Sequence, residues 1–195
     1  MLSATPHPPK RARQRPWIKC ARIISMLWLS GCASSRLDEF ERVLAAQDSA
    51  TAALSEWCKA RAIAEPPMIR AEPVKAAPQA SAEVRRLLGA STTEPLAYRH
   101  VRLVCGDAVL SIADNWYVPS RLTADMNQAL ATTQTPFGKI IAPLGFRRER
   151  LSATRGRSDA CPPGTVLSHQ ARLRLPDGTP LALVTECYTA DNLTR

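Results

Sequence analysis

From Leu37 to about Arg61 apolar residues recur at loose helical spacing, with Leu37, Phe40, Val43, Leu44, Ala52, Leu54 and Trp57 on one stripe. The pattern predicts one or two helices, with a break near Gln47-Asp48-Ser49, where Asp48 or Ser49 caps the second by accepting from free backbone N–H groups. Pro66-Pro67 ends this region and Met68-Ile69-Arg70 reads as a short strand. Residues 71–82, rich in Ala and Pro, read as a surface connection, and Ala82 to Leu88 as a short helix that Gly89 terminates. After Pro95 the period changes to two, which places Arg99, Val101, Leu103 and Cys105 on one strand face and His100, Arg102 and Val104 on the other. Gly106-Asp107 turns the chain, Val109 to Val118 returns as a second strand, and Thr123 caps a helix to about Thr132. Residues 135–141 read as a short helical segment, and residues 142–165 lack a period. Ala171 to Leu175, a Pro176-Asp177-Gly178-Thr179 turn and Leu181 to Tyr188 form a closing hairpin. Helices early and strands late predict a single α+β domain, with an antiparallel sheet and helices packed on one side.

Charge is distributed unevenly. The first 31 residues hold six basic residues and no acid, followed by a short apolar core, Ile23 to Leu29, and Leu29-Ser30-Gly31-Cys32. The segment resembles a bacterial lipoprotein leader, which implies a signal peptide over residues 1–31, a mature domain over residues 32–195 and lipidation at Cys32. The expected location is on the periplasmic side of a membrane, through a lipid anchor, or the cytoplasm if the segment is not a leader. Removing the six leader cations lowers the net charge from +9 to +3, which takes away most of the support for a nucleic-acid partner. Arg147, Arg148, Arg150, Arg155 and Arg157 in the aperiodic stretch read as a solvated loop or strand edge rather than an anion-attracting lid.

With Cys32 lipidated, four further cysteines remain in the expected mature chain. Cys161, beside Pro162-Pro163-Gly164, reads as a disulfide partner, whereas Cys105 and Cys187, flanked by apolar strand residues, read as buried thiols; the pairing with Cys58 stays open. None forms a Cys-x-x-Cys pair, so neither zinc nor a redox motif is indicated. The residue that stands out chemically is Glu186, a carboxylate inside the otherwise apolar run Leu181 to Tyr188. A buried carboxylate needs a partner or a purpose, and Arg99 is the expected partner, either as a strand-to-strand ion pair or across a pocket for a small acid.

Seven segments in register carry a family resemblance. Asp48-Ser49-Ala50-Thr51, Met68-Ile69-Arg70, Tyr98-Arg99-His100-Val101, Val118-Pro119, Thr135-Pro136-Phe137-Gly138-Lys139, Arg172-Leu173-Arg174-Leu175 and Thr185-Glu186 together resemble bacterial chorismate pyruvate-lyase, from about residue 40 to 190. The resemblance implies a monomer with a buried pocket roofed by helical flaps, and release of pyruvate from chorismate to give 4-hydroxybenzoate for ubiquinone synthesis, with no metal or cofactor. Arg99 and Glu186 match the family's essential pair, implying carboxylate binding by Arg99 and a general-acid role for Glu186. Ala50, Phe137 and Arg70 are the implied substrate-binding residues. Ala50 in place of a larger side chain and Thr189-Ala190-Asp191 in place of a proline-containing tail depart from the pattern, leaving pocket shape and substrate open. The alternative is a non-catalytic lipoprotein that binds a small aromatic acid in the same pocket.

Overall fold

The computed structural model describes Met1 and residues 27–194, with side chains from Arg36 onward. Residues 2–26 of the expected leader and the side chain of Cys32 lie outside the described residues. The expected boundary at residue 31 falls within the first helix, α1 (Leu27–Ala45). Among the described residues no helix is long and apolar enough to cross a membrane.

After α1 come α2 (Ala50–Ala60), β1 (Ile69–Pro73), α3 (Ala82–Leu88), β2 (Ala97–Cys105), β3 (Ala108–Tyr117), α4 (Ala124–Thr132) and α5 (Phe137–Ile140). The chain closes with β4 (Arg147–Arg155), β5 (Thr165–Arg174), β6 (Pro180–Thr189) and α6 (Asp191–Thr194). The strands form one antiparallel six-stranded sheet in the order β1-β2-β3-β6-β5-β4. The last strand of the sequence is thus internal, which is why its apolar run shows no polar face: both sides of β6 are covered.

Phe40 and Leu44 of α1 and Ala53, Leu54 and Trp57 of α2 pack on Val101, Leu103, Leu167 and Tyr188, forming the main core on one face of the sheet. Phe40 lies 5.1 Å from the Trp57 ring and 5.2 Å, edge to face, from Tyr188. A smaller cluster of Leu88, Val118 and Leu183 seats α3 against part of the opposite face. The caps follow local chemistry: Ser49 accepts from the Ala52 amide, Thr123 from the Met126 amide, and Gly89 ends α3 at φ 56°.

The expectation for two cysteines is corrected, while of the two readings of the arginine-rich stretch, loop or strand edge, the second holds: residues 147–155 pair with β5 as an edge strand. Its period is hidden by charge: Glu149 sits opposite Arg172 and accepts hydrogen bonds from both Arg172 and Arg174, so polar pairing replaces apolar alternation. Cys105 and Cys187 are not free thiols. Cys58 of α2 bonds Cys105 at the end of β2, with Cα atoms 6.2 Å apart, and Cys161 bonds Cys187 with Cα atoms 5.5 Å apart. Cys161, expected to be bridged, is.

The first of these links joins a helix to the sheet across 47 residues of sequence. Replacing both Cys58 and Cys105 by Ala should therefore lower unfolding free energy by about 2–4 kcal/mol, measured by urea denaturation against the oxidised parent. Equal midpoints and slopes would show that the link constrains nothing.

Candidate functional site

Strand register decides which side chains share the helix-covered face. Arg99, Asn115 and Val184 form one row across β2, β3 and β6; Val101, Ala113, Glu186 and His169 form the next. Arg99 and Glu186 thus share a face but stand two strands and one row apart, roughly 10 Å laterally at ordinary strand spacing. They do not pair. The Arg99 guanidinium donates instead to the carbonyls of Thr133 and Thr135, each at 3.0 Å. Burial pulls its pKa down, with the nearby Tyr117 acting the other way. This arginine fixes the segment between α4 and α5, and so the position of Phe137 and Gly138.

The partner of Glu186 is Arg148, from the edge strand. Both guanidinium ends donate to the two carboxylate oxygens, one at 3.1 Å and the other closer, in the two-pronged arrangement that suits an arginine and a carboxylate. Tyr188, two residues along β6 on the same face, adds a hydrogen bond from its hydroxyl at 2.9 Å. The ion-paired side chains are only 9% and 7% exposed. Burial disfavours the Arg148 cation, but the charge and hydrogen bonds of Glu186 outweigh it and hold the pKa above the ordinary arginine value. Burial likewise drives the Tyr188 phenol well above its usual range.

Above this pair lies a narrow hollow of about 30 Å³. Its floor is Val101, Leu103, Ala113, Leu173 and Val184, with Asn115 and Glu186 among them. Its roof is the start of α2, with Ser49, Ala50 and Thr51, and the start of α5, with Phe137 and Gly138; Phe146 and Arg148 close one side. Asp48 ties roof to wall by accepting from the Arg148 amide at 3.1 Å and the Arg147 guanidinium at 3.0 Å. Gly138 is required by close approach, since a Cβ there would lie 2.5 Å from the Ser49 hydroxyl and 3.1 Å from that of Thr51.

Of the residues singled out in the sequence, Glu186, Ala50 and Phe137 meet at the hollow. Arg99 supports its roof from beside it. Arg70 is exposed on β1, 3.8 Å from Glu72, and does not line the hollow. Arg148 was missed because it was grouped with solvated cations; the available signal was alternation after Phe146, which puts Arg148 and Arg150 on one face and Arg147 and Glu149 on the other. Among the described residues no cluster of three or more His, Cys, Asp or Glu could hold a metal ion.

Removing the guanidinium should be costly. Arg148→Ala leaves a buried carboxylate without its main partner and should destabilise the fold by about 3–5 kcal/mol in chemical denaturation, while Arg148→Met with Glu186→Leu should recover most of the loss. A single variant as stable as the parent would show that Glu186 does not depend on Arg148.

His169 lies beside Glu186, and burial lowers its pKa to about 4, helped by Arg148 and Arg150 and opposed by the charge of Glu186. The unfolded chain takes up this proton near pH 6.5 and the folded chain does not, so stability is intact above that pH and falls as pH drops toward 4. His169→Gln should flatten the stability profile over this interval; parallel profiles would assign the acid sensitivity to other groups.

No protein-family model matches the chain. In sequence it is 42% identical to "Uncharacterized protein y4mC" of Sinorhizobium fredii over 161 residues, covering 72% of this chain and 68% of that protein. In fold it matches PhnF of Mycobacterium smegmatis at a TM-score of 0.54 and 14% identity, covering 76% of this chain and 66% of that one. The effector domain of the same protein matches at 0.51 and 15% identity, with 74% and 90% covered. The chain spans 59% of the possible transcriptional regulator YydK of Bacillus subtilis, at 12% identity, a TM-score of 0.45 and 64% of this chain. The two PhnF likenesses overturn the identification as a lipoprotein-like chorismate pyruvate-lyase of ubiquinone synthesis; the α+β architecture stands, and it is shared with the PhnF effector domain.

Proposed function

The chain belongs to the family of the y4mC protein of Sinorhizobium fredii, and we propose that its hollow is a non-catalytic binding site for a small aromatic carboxylic acid. The observation that carries this reading is the buried Arg148–Glu186 pair at the edge of an apolar cavity. Glu186 accepts two bonds from Arg148 and one from Tyr188, which leaves it an acceptor with little capacity to donate a proton to a substrate. That arrangement suits holding a cation in place, not general-acid chemistry.

Each end of such a ligand has a matching surface. The first-turn amides of Ala50 and Thr51 have no acceptor within α2 and carry the positive end of the helix dipole toward the hollow. Phe137, Phe146, Leu173 and Val184 offer apolar surface to a ring, which enters when the roof at the start of α2 and α5 moves outward. The fold shared with the PhnF effector domain supports a binding role over a catalytic one, although fold by itself assigns no ligand. The two disulfides support operation in an oxidising compartment.

Calorimetric titration with benzoate, 4-hydroxybenzoate and the neutral benzamide tests the proposal. The acids should bind and the amide should bind at least about tenfold more weakly, the worth of one charge-assisted hydrogen bond. Gly138→Val, which intrudes on the roof, should abolish binding. Absence of heat with every acid, or equal binding of acid and amide, would overturn it.

A further inference from the structure

A second recess lies on the far side of the ion pair, between α1 and the edge strand β4. Asp38, Glu41, Arg42 and Ala45 form one wall, Arg150, Ala153 and Arg155 the other, and His169 of β5 reaches it from the floor. The recess has a volume of about 420 Å³. It shares no lining residue with the hollow under α2 and α5.

The charges in this recess are unequally satisfied. Arg155 binds both acids, donating to Glu41 at 3.1 Å through Nε and to Asp38 and Glu41 through Nη2, so the two carboxylates are already neutralised. Arg42 and Arg150 have no ion pair or side-chain hydrogen bond with any described residue. His169 is only 5% exposed, packs its ring edge to face on Tyr188 at 5.3 Å, and likewise has no hydrogen bond among the described residues. Neither of its ring nitrogens is sealed from solvent, so the imidazole can offer an N–H to a molecule that enters the recess.

We propose that this recess is a second ligand site, for a small oxyanion of the phosphate class, held by Arg42 and Arg150 from its two walls and by the imidazole N–H of His169 from its floor. Two guanidiniums and an imidazole N–H around one recess suit phosphate, whose several oxygens can each accept from a different donor. Three guanidiniums against two carboxylates leave the recess net positive before any ligand enters. A metal ion is the poorer occupant, since both acids are engaged by Arg155 and His169 is flanked by Arg150. Neutral His169, whose burial keeps it unprotonated at neutral pH, still supplies one N–H donor.

Nuclear magnetic resonance of the His169 imidazole in labelled protein, assigned by its loss in His169→Gln, tests the site directly. At pH 7 and constant ionic strength, inorganic phosphate should shift the signal saturably. Arg42→Ala and Arg150→Ala, both at exposed positions where truncation leaves no buried group unpaired, should each weaken the apparent affinity about tenfold. Lys75→Ala, at an exposed position away from the recess, should leave it unchanged. A linear, unsaturated drift, or equal affinity in parent and both arginine variants, would overturn the proposal. Because the readout is His169 and the probe carries no aromatic ring, the result is independent of whether the hollow binds an aromatic acid.

Discussion

The buried pair of Arg148 and Glu186 is the constraint around which the helix-covered face is organised. Glu186 occupies an internal strand, with neighbours on both sides and helices above, so water cannot compensate its charge. The compensation comes from an edge strand, where a long side chain can reach inward past β5. Once Arg148 is committed inward, Asp48 follows by binding its amide, and the turn between α1 and α2 is held against β4. The same contact aims the start of α2 over the sheet, so one ion pair sets both the charge and the roof of the hollow.

Such pairs contribute little net stability, because the desolvation of two ions offsets most of their attraction. Their value lies in orientation. Apolar contacts tolerate sliding, whereas a two-pronged arginine–carboxylate contact tolerates little displacement. Arg99 does the same work differently, spending its donors on two carbonyls of the segment between α4 and α5 and thereby placing Phe137 and Gly138. Two buried arginines therefore anchor the two halves of the roof, and neither needs to touch a ligand to shape the space that receives it.

Much of the architecture was legible from local patterns. The period-two run from Tyr98 to Cys105, the turn at Gly106-Asp107, the Ser49, Thr123 and Gly89 helix ends and the closing hairpin are decided by chemistry within a few residues of each other, and they occur as expected. β4 was legible only as a choice between loop and strand edge, because the partners that make its arginines strand residues, Glu186 and Asp48, stand 38 and 100 positions away. The cysteines failed in the same way: apolar neighbours describe a burial environment but do not say whether a second sulfur faces it.

By itself the sequence determined an α+β domain with an antiparallel sheet, and it marked Glu186 as a carboxylate that had to be answered, because hydrophobic period and turn chemistry act over short distances along the chain. The tertiary structure alone decided what answers it. Strand order brought Arg148 rather than Arg99 to Glu186, joined Cys58 to Cys105 and Cys161 to Cys187, and set His169 beneath α1. Those outcomes depend on which strands become neighbours and which faces they share, a property of the assembled sheet that no single segment contains.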